Sequence, residues 1–404
     1  PSMMKKAGYT TGIVGKWHLG LGDEKGTDWN GDIQPGPLEI GFDYGFFFPA
    51  TGDRVPCVFI ENHKIIGLDP SDPVKVNYDK KVGDEPTGRE NPELLKLKST
   101  HGHDNTIVNG VGRIGWMTGG KSARWRDEDI ADTFTKKAVE FIERSKDEPF
   151  FLYFAPHNIH VPRVPNERHH GKSQCGTRGD AIVELDVAVN EIVSTLERLK
   201  LAENTIVIFS SDNGGIMDDG YEDVGSFEHP CNGSLHGYKG SLWEGGHRVP
   251  MITRWPGHVQ VGSECDELVT FTDMTASLAA LTGQTLPEDA APDSMNVLPA
   301  LLGLPHDKPG RETFIAHIGG TKGPKAIRQG KWKLIQAGGA RPSHADANKS
   351  GQLNKAIKTP PPPFLVNLAD DPGETKNLAE SLPDKVKELQ ELFEKQLTAG
   401  RSRP

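Results

Sequence analysis

The chain has 404 residues, 46 Lys and Arg against 56 Asp and Glu, and a hydrophobic fraction of 35%, enough for one large core and a second, smaller domain. Its net charge of −10 argues against non-specific nucleic-acid binding through a basic face, and no window approaches the 18 or so consecutive apolar residues of a transmembrane helix. Cys57, Cys175, Cys231 and Cys265 are far apart and form no Cys-x-x-Cys pair, so neither a zinc cluster nor a dense disulfide framework is expected, while one or two disulfides stay open.

In chain order, Ser2 to Gly8 reads as a short helix and "TTGIVGKWHLG" as a buried strand with Lys16, Trp17 and His18 at its mouth. Residues 49 to 125 are rich in Gly, Asp, Lys and Pro and read as long surface loops, which in a compact domain are usually functional. Glu128 to Ser145 carries Ile130, Phe134, Ala138, Phe141 and Ile142 at helical spacing, and "PFFLYFAPH" follows as a central strand. Ile182 to Leu199 repeats the device with Leu185, Val189, Ile192, Val193 and Leu196, and "NTIVIFSSDNGG" follows as the next buried strand. Helix then strand, twice over, predicts an α/β fold with a mostly parallel sheet flanked by helices. "LVTFTDMTASLAALTG" leads into an Ala/Leu helix, and Gly303 to Arg311 is a Pro/Gly-rich connector. "ETFIAHI", "KAIRQGKWKLIQ" and "FLVNL" are short β segments, the second folded about Gln329-Gly330; Pro360 to Pro363 reads as a stiff loop, and "DKVKELQELFEKQL" closes as an amphipathic helix. The division expected is a catalytic α/β domain over 1–303 and a C-terminal α+β subdomain over 304–404.

Ligands of open α/β sheets collect beyond the carboxyl ends of the strands. Those ends offer Lys16 and His18, His157 and His160, and Asp212 and Asn213, while "HGYKGSLWEGGHRVP" offers Lys239 and Glu244 between glycines. Asp212 and Asn213 supply two hard oxygens of the kind Ca²⁺ or Mg²⁺ takes; taken alone, Asp-Asn-Gly describes an Asx turn equally well. Each lysine or histidine alone would be a solvated charge or a hydrogen-bonded structural residue. Together they suit a multi-oxygen anion, with ammonium groups and a cation meeting developing charge and a histidine giving a proton.

These segments, in this order, resemble the type I, formylglycine-dependent sulfatase (arylsulfatase) family of the alkaline-phosphatase-like superfamily. The likeness rests on "MMKKAGYTTGIVGKWHLG", "GFDYGFF", "PFFLYFAPHNIHVP", "SDNGG", "YKGSLWEGGHRVPMITRWPG", and the C-terminal "KWKLI" and "NLADDPGETKNLAE". It implies that Lys16 and His18 hold the nucleophile and bound sulfate, that His160 and Lys239 contact the bridging oxygen and help the alcohol leave, and that Asp212 and Asn213 are metal ligands, for calcium in most members and magnesium in some. His157 is implied as a near-site residue. The implied substrate is a sulfated saccharide or aryl sulfate, the implied partner a formylglycine-generating or sulfatase-maturating enzyme, and the implied location periplasmic or extracellular.

The family's Cys-or-Ser-x-Pro-x-Arg nucleophile motif and two further metal aspartates are not among these 404 residues, and the chain opens on Pro1 rather than Met. The expectation is a chain cut before those segments and inactive in this form, with formylglycine upstream of Pro1. A phosphodiesterase or phosphonate-ester hydrolase of the same superfamily and a non-catalytic binder of sulfated glycans are the alternatives. In the 49–125 region, His101, His103, Arg113, Lys121 and Arg124 either frame an anionic sugar or belong to a solvated polar loop.

Overall fold

Apolar residues on both sides of the first strand decide the architecture of the N-terminal half. The computed structural model describes residues 1–216, 219–222, 229–320, 322–339 and 362–403, and the chain divides into two units, Pro1–Ala202 with Asp218–His229, and Glu203–Met217 with Pro230–Pro404.

In the first unit, α1 (Ser2–Lys6) leads into β1 (Thr10–Lys16), followed by β2 (Tyr44–Phe48), β3 (Ile60–Glu61) and β4 (Lys64–Ile65). Four short strands come next, β5 (Lys75–Asn77), β6 (Ile107–Val108), β7 (Val111–Gly112) and β8 (Trp116–Thr118), then α2 (Ile130–Arg144), β9 (Phe150–Ala155) and α3 (Gly176–Arg198). The main sheet runs β4-β3-β2-β1-β9. Its core is parallel: Val14 lies opposite Phe46 of β2 and Phe154 of β9. Side chains alternate across it, as strand geometry requires. Val14, Phe46 and Phe48 pack with Ile130, Phe134 and Ala138 of α2, whereas Ile13 and Phe47 pack with Trp17, Ile33, Val58 and Ile60. Phe47, Phe48 and Phe134 are fully buried, each contributing roughly 1.5–3 kcal/mol relative to exposure. Acidic Asp127, Glu128 and Asp129 precede α2 and Arg144 ends it, both favourable to the helix dipole.

Three expectations change here. The 49–125 region is not surface loop: Val55, Cys57, Val58, Val108 and Met117 are buried in it and join the sheet's two apolar clusters, and Ile107 is buried as well. Its buried residues fall in short clusters such as Val55-Pro56-Cys57-Val58 and Ile107-Val108, broken by turns and polar stretches, so no sustained periodicity announces them. β9 is not central; among the described residues its strand neighbour is β1, and Tyr153 is 49% exposed. Along α3, Leu196 is buried but Leu185, Val189, Ile192 and Val193 are half-buried, while the covered positions include Ala181, Glu184 and Ala188.

In the second unit, β10 (Val207–Ser210) pairs antiparallel with β11 (Met251–Arg254), Phe209 opposite Ile252, and α4 (Glu244–His247) lies between them in sequence. This corrects the expectation that β10 joins the parallel sheet: an apolar run reports how its faces are covered, not which strand it pairs with. The helices α5 (Met274–Leu281) and α6 (Leu298–Leu302) follow. The antiparallel sheet β12 (Thr313–His317), β13 (Lys325–Gln329), β14 (Trp332–Ile335) and β15 (Phe364–Asn367) runs in that order. The β13–β14 hairpin turns about Gln329-Gly330, as the sequence indicates. On this sheet, α7 (Pro383–Ala399) buries Leu389 and Phe393 against Ile327, Leu334 and Leu365. Of the proline run, Pro360 and Pro361 lie outside the described residues.

Candidate functional site

The parallel register brings three polar segments of the first unit to one end of the sheet. Lys16, half-buried, is the last residue of β1 and sits opposite Phe48, the last of β2. The chain then leaves the sheet with Trp17 N–H on Phe48 O (3.3 Å) and His18 N–H on Pro49 O (3.1 Å). Trp17 is buried, its indole N–H bonded to Gly20 O (2.7 Å), and His18 is turned out to the surface at φ 56°. Gly15, one residue earlier, has φ 123°, and a Cβ there would strike the Ala155 carbonyl of β9, so only glycine lets the strand approach this closely.

β9 delivers two histidines to the same end. His157 is buried, its ring edge-on to Phe48 at 5.5 Å between centroids, and lies 6.1 Å from the His160 ring. Burial, and then the neighbouring His160, push His157 down to about 3, so it is neutral. His160 Nδ1 is 2.8 Å from Val161 O, and its backbone N–H donates to His157 O (2.9 Å).

The turn after β2 supplies residues that the sequence did not single out. Asp53 is 3% exposed and bonds Thr51 Oγ1, Arg54 Nη1 (3.0 Å) and His103 Nε2 (3.0 Å). Burial alone would raise its carboxyl; His103, the charge of His160, Arg54 and Thr51 outweigh it and hold the group well below the usual carboxylate range. A buried anion thus sits beside His160. The one signal available was position: an Asp-Arg pair five residues past a buried strand end.

The loop candidates separate. Arg113 is fully buried, paired with Asp127 at 2.7 Å and donating to Gly52 O (2.6 Å), so it is a core residue and no sugar contact. His103 is likewise internal, its Nδ1 2.8 Å from His101 O and its ring 4.6 Å from that of Tyr221. Arg124 is mostly covered and pairs with Glu85 at 2.6 Å. His101 and Lys121 are exposed.

In the second unit, Asp212 and Asn213 follow β10, and the turn they begin is locked to the Lys239 segment by backbone bonds. Gly214 N–H donates to Gly246 O (3.0 Å), and Lys239 N–H donates to Gly215 O (3.1 Å). Asn232 clamps both: its Oδ1 accepts from Gly215 N–H (2.7 Å) and its Nδ2 donates to Gly215 O (3.1 Å) and Gly237 O (3.0 Å). A Cβ on Gly214 would collide with the Gly245 carbonyl oxygen. The unit therefore unites Asp212, Asn213 and Lys239, as the first unites Lys16, His18, His157 and His160.

As cation ligands, Asp212 and Asn213 offer one carboxylate and one amide oxygen, the hard donors that calcium or magnesium prefers. Asn213 Nδ2 donates to Gly214 O (3.0 Å), which commits its nitrogen and suits the amide oxygen to a metal. Among the described residues no group of three or more His, Cys, Asp or Glu is gathered for a metal. Formylglycine has no matching residue here: no cysteine heads a Cys-x-Pro-x-Arg stretch, and burial drives the Cys57 thiol up to about 12.

The sulfatase family model matches residues 1–284. The chain is 52% identical over 396 residues to an N-acetylgalactosamine-6-O-sulfatase of Bacteroides thetaiotaomicron, covering 97% of this chain and 75% of that protein. Human arylsulfatase A is 30% identical over 392 residues, covering 95% of this chain and 68% of its own length. A solved 6S-sulf structure from the glycosaminoglycan metabolism of Bacteroides thetaiotaomicron superposes with a TM-score of 0.90 at 50% identity, covering 98% of this chain and 81% of that one. With a matching family model over most of its length, sulfatase relatives along nearly all of it and the alkaline-phosphatase-like fold, the chain belongs to the sulfatase family.

Proposed function

We propose that this protein is a carbohydrate sulfatase that hydrolyses the 6-O-sulfate ester of N-acetylgalactosamine units in a glycosaminoglycan. The observation that carries the substrate is the 52% identity, across 97% of the chain, to the Bacteroides N-acetylgalactosamine-6-O-sulfatase.

Cleaving the S–O bond of such an ester expels a sugar alkoxide, a poor leaving group that needs a proton as the bond breaks. His160 is the donor. A carbonyl can only accept, so Nδ1 donates to Val161 O, which fixes the orientation of the ring. The buried Asp53 carboxylate interacts electrostatically with His160. Lys16 and Lys239 bind sulfuryl oxygens, where negative charge develops. His18, exposed at the mouth of β1, serves release of sulfate. Asp212 and Asn213 would hold the family-typical cation, calcium in this reading, which when bound neutralises sulfuryl charge. The catalytic domain is 1–303 and the C-terminal subdomain 304–404, the protein is exported, and a sulfatase-maturating enzyme acts on the full-length product.

The test is sulfate release by the full-length gene product from N-acetylgalactosamine 6-sulfate, its 4-sulfate isomer and a phosphonate monoester. Preferential turnover of the 6-sulfate is expected. Preference for the 4-sulfate would overturn the position, and preference for the phosphonate ester would overturn the reaction class.

A further inference from the structure

The C-terminal motifs "KWKLI" and "DDPGETKNL" carry one residue each, Lys333 and Glu374, into a buried cluster with Glu244 of "KGSLWEGG". All three are at most 2% exposed. Lys333 Nζ donates to Glu244 Oε1 at 2.9 Å and lies 2.8 Å from Glu374 Oε1. Glu374 Oε2 accepts the backbone N–H of Glu244 at 2.6 Å. Glu244 is thus gripped twice, by its carboxylate and by its main chain. Arg328 Nη1 at 3.5 Å and Arg248 Nη1 at 4.0 Å from Glu244 Oε2, and His247 Nε2 at 3.5 Å from Lys333 Nζ, add to the polar surroundings.

The grip reaches Lys239 through a short run of backbone bonds. Gly245, next to Glu244, donates its N–H to His236 O (2.7 Å), and Ser241 donates to Tyr238 O (3.0 Å), so the segment from 236 to 245 closes on itself with Lys239 at its tip. Trp243 packs at 4.4 Å between centroids on His236 and at 4.9 Å on Phe364 of β15. Gly246 O, two residues past Glu244, receives Gly214 N–H from the Asp212–Asn213 turn.

Burying three charges is costly, and apolar residues of similar volume often serve stability as well or better. Such a cluster has another use where it fixes one geometry, and here the geometry fixed is that of the segment presenting a proposed substrate-binding ammonium. We infer that Glu244, Lys333 and Glu374 are positioning residues that hold Lys239 in register with the Asp212–Asn213 turn. This rests on the role given to Lys239 above. It also assigns work to the C-terminal sheet: β14 and the turn after β15 brace the Lys239 segment.

The experiment compares the wild-type full-length gene product with the apolar replacement Glu244→Leu/Lys333→Met/Glu374→Leu and with the milder Glu374→Gln, by thermal melting, amide hydrogen exchange and steady-state kinetics. The expected triple variant melts near the wild-type temperature, loses exchange protection at Gly245 and Lys239, and loses about 10- to 100-fold in kcat with KM changed less than about threefold, the penalty for a misplaced group. Glu374→Gln keeps an acceptor for the Glu244 N–H, so smaller changes of the same sign are expected; it decides the matter if the triple variant does not fold. Unchanged protection of Gly245 and Lys239 in a folded variant overturns the inference, as does unchanged kcat. Lys239→Ala is assayed alongside: if it turns over like wild type, the role of Lys239 fails, and exchange alone judges the anchor.

Discussion

The two units place their candidate site residues by different means. In the first, Lys16, His18, His157 and His160 stand where parallel strands end, and the β1–β2 and β1–β9 registers set their spacing. In the second, Asp212, Asn213 and Lys239 stand on turns, spaced by backbone bonds between glycines, by Asn232, and, in our inference, by a buried ionic cluster. Regular structure positions side chains through many weak and redundant bonds; a turn depends on a few, each expensive to lose. Substitutions should therefore be felt differently in the two units.

The largest expected effect on stability is in the first. Asp127→Asn leaves the fully buried Arg113 guanidinium without its charge partner, and breaking a buried pair from one side costs about 3–5 kcal/mol. Chemical denaturation should show that loss, in contrast with the near-neutral apolar replacement expected at Glu244, Lys333 and Glu374. A loss below about 1 kcal/mol would erase the contrast.

Next comes Gly214→Ala. The added methyl group meets the Gly245 carbonyl oxygen, and overpacking of this kind costs about 1–3 kcal/mol. Because Gly214 carries a bond between the two turns, cation affinity measured by calorimetry should fall with stability. An unchanged affinity would show that the turns are set independently.

The effect that vanishes at neutral pH and grows only on acidification is in the acid limb of stability. His157 has a folded value of about 3 against 6.5 unfolded, so between those values the unfolded chain holds a proton that the folded chain does not. Its contribution is complete above about pH 6.5 and is lost as pH falls toward 3, at about 1.4 kcal/mol per pH unit. His247 in the second unit behaves alike with a folded value of about 4, set by burial and then by Lys333, and its side chain is 26% exposed, so it acts over a narrower pH window. His157→Gln should flatten the limb more than His247→Gln in urea midpoints taken from pH 7 to 4; the reverse order would contradict the burial argument.

Legibility in the sequence followed the same division. The strand ends were readable because α2 carries strong apolar periodicity and β1 and β9 are short apolar runs, with Lys16 and His18 at the end of β1 and His160 five residues past β9. The partner of β10 was not, since an apolar run carries no record of what it pairs with, nor was the packing of residues 49–125, where buried residues come in short clusters between turns. Asp53, Asn232, Lys333 and Glu374 were invisible as site-supporting residues, because each acts through a contact distant in sequence or through the main chain. Asp53 reaches His103 fifty residues away, and Glu374 reaches Glu244 across one hundred and thirty.

The assignment of His160 as proton donor at the sheet end is tested most directly by leaving-group dependence. In the full-length gene product, His160→Ala should reduce kcat/KM on N-acetylgalactosamine 6-sulfate by about 10²–10⁴. On 4-nitrophenyl sulfate, whose phenolate departs without a proton, the loss should be less than about tenfold. Equal losses on the two esters would contradict the account.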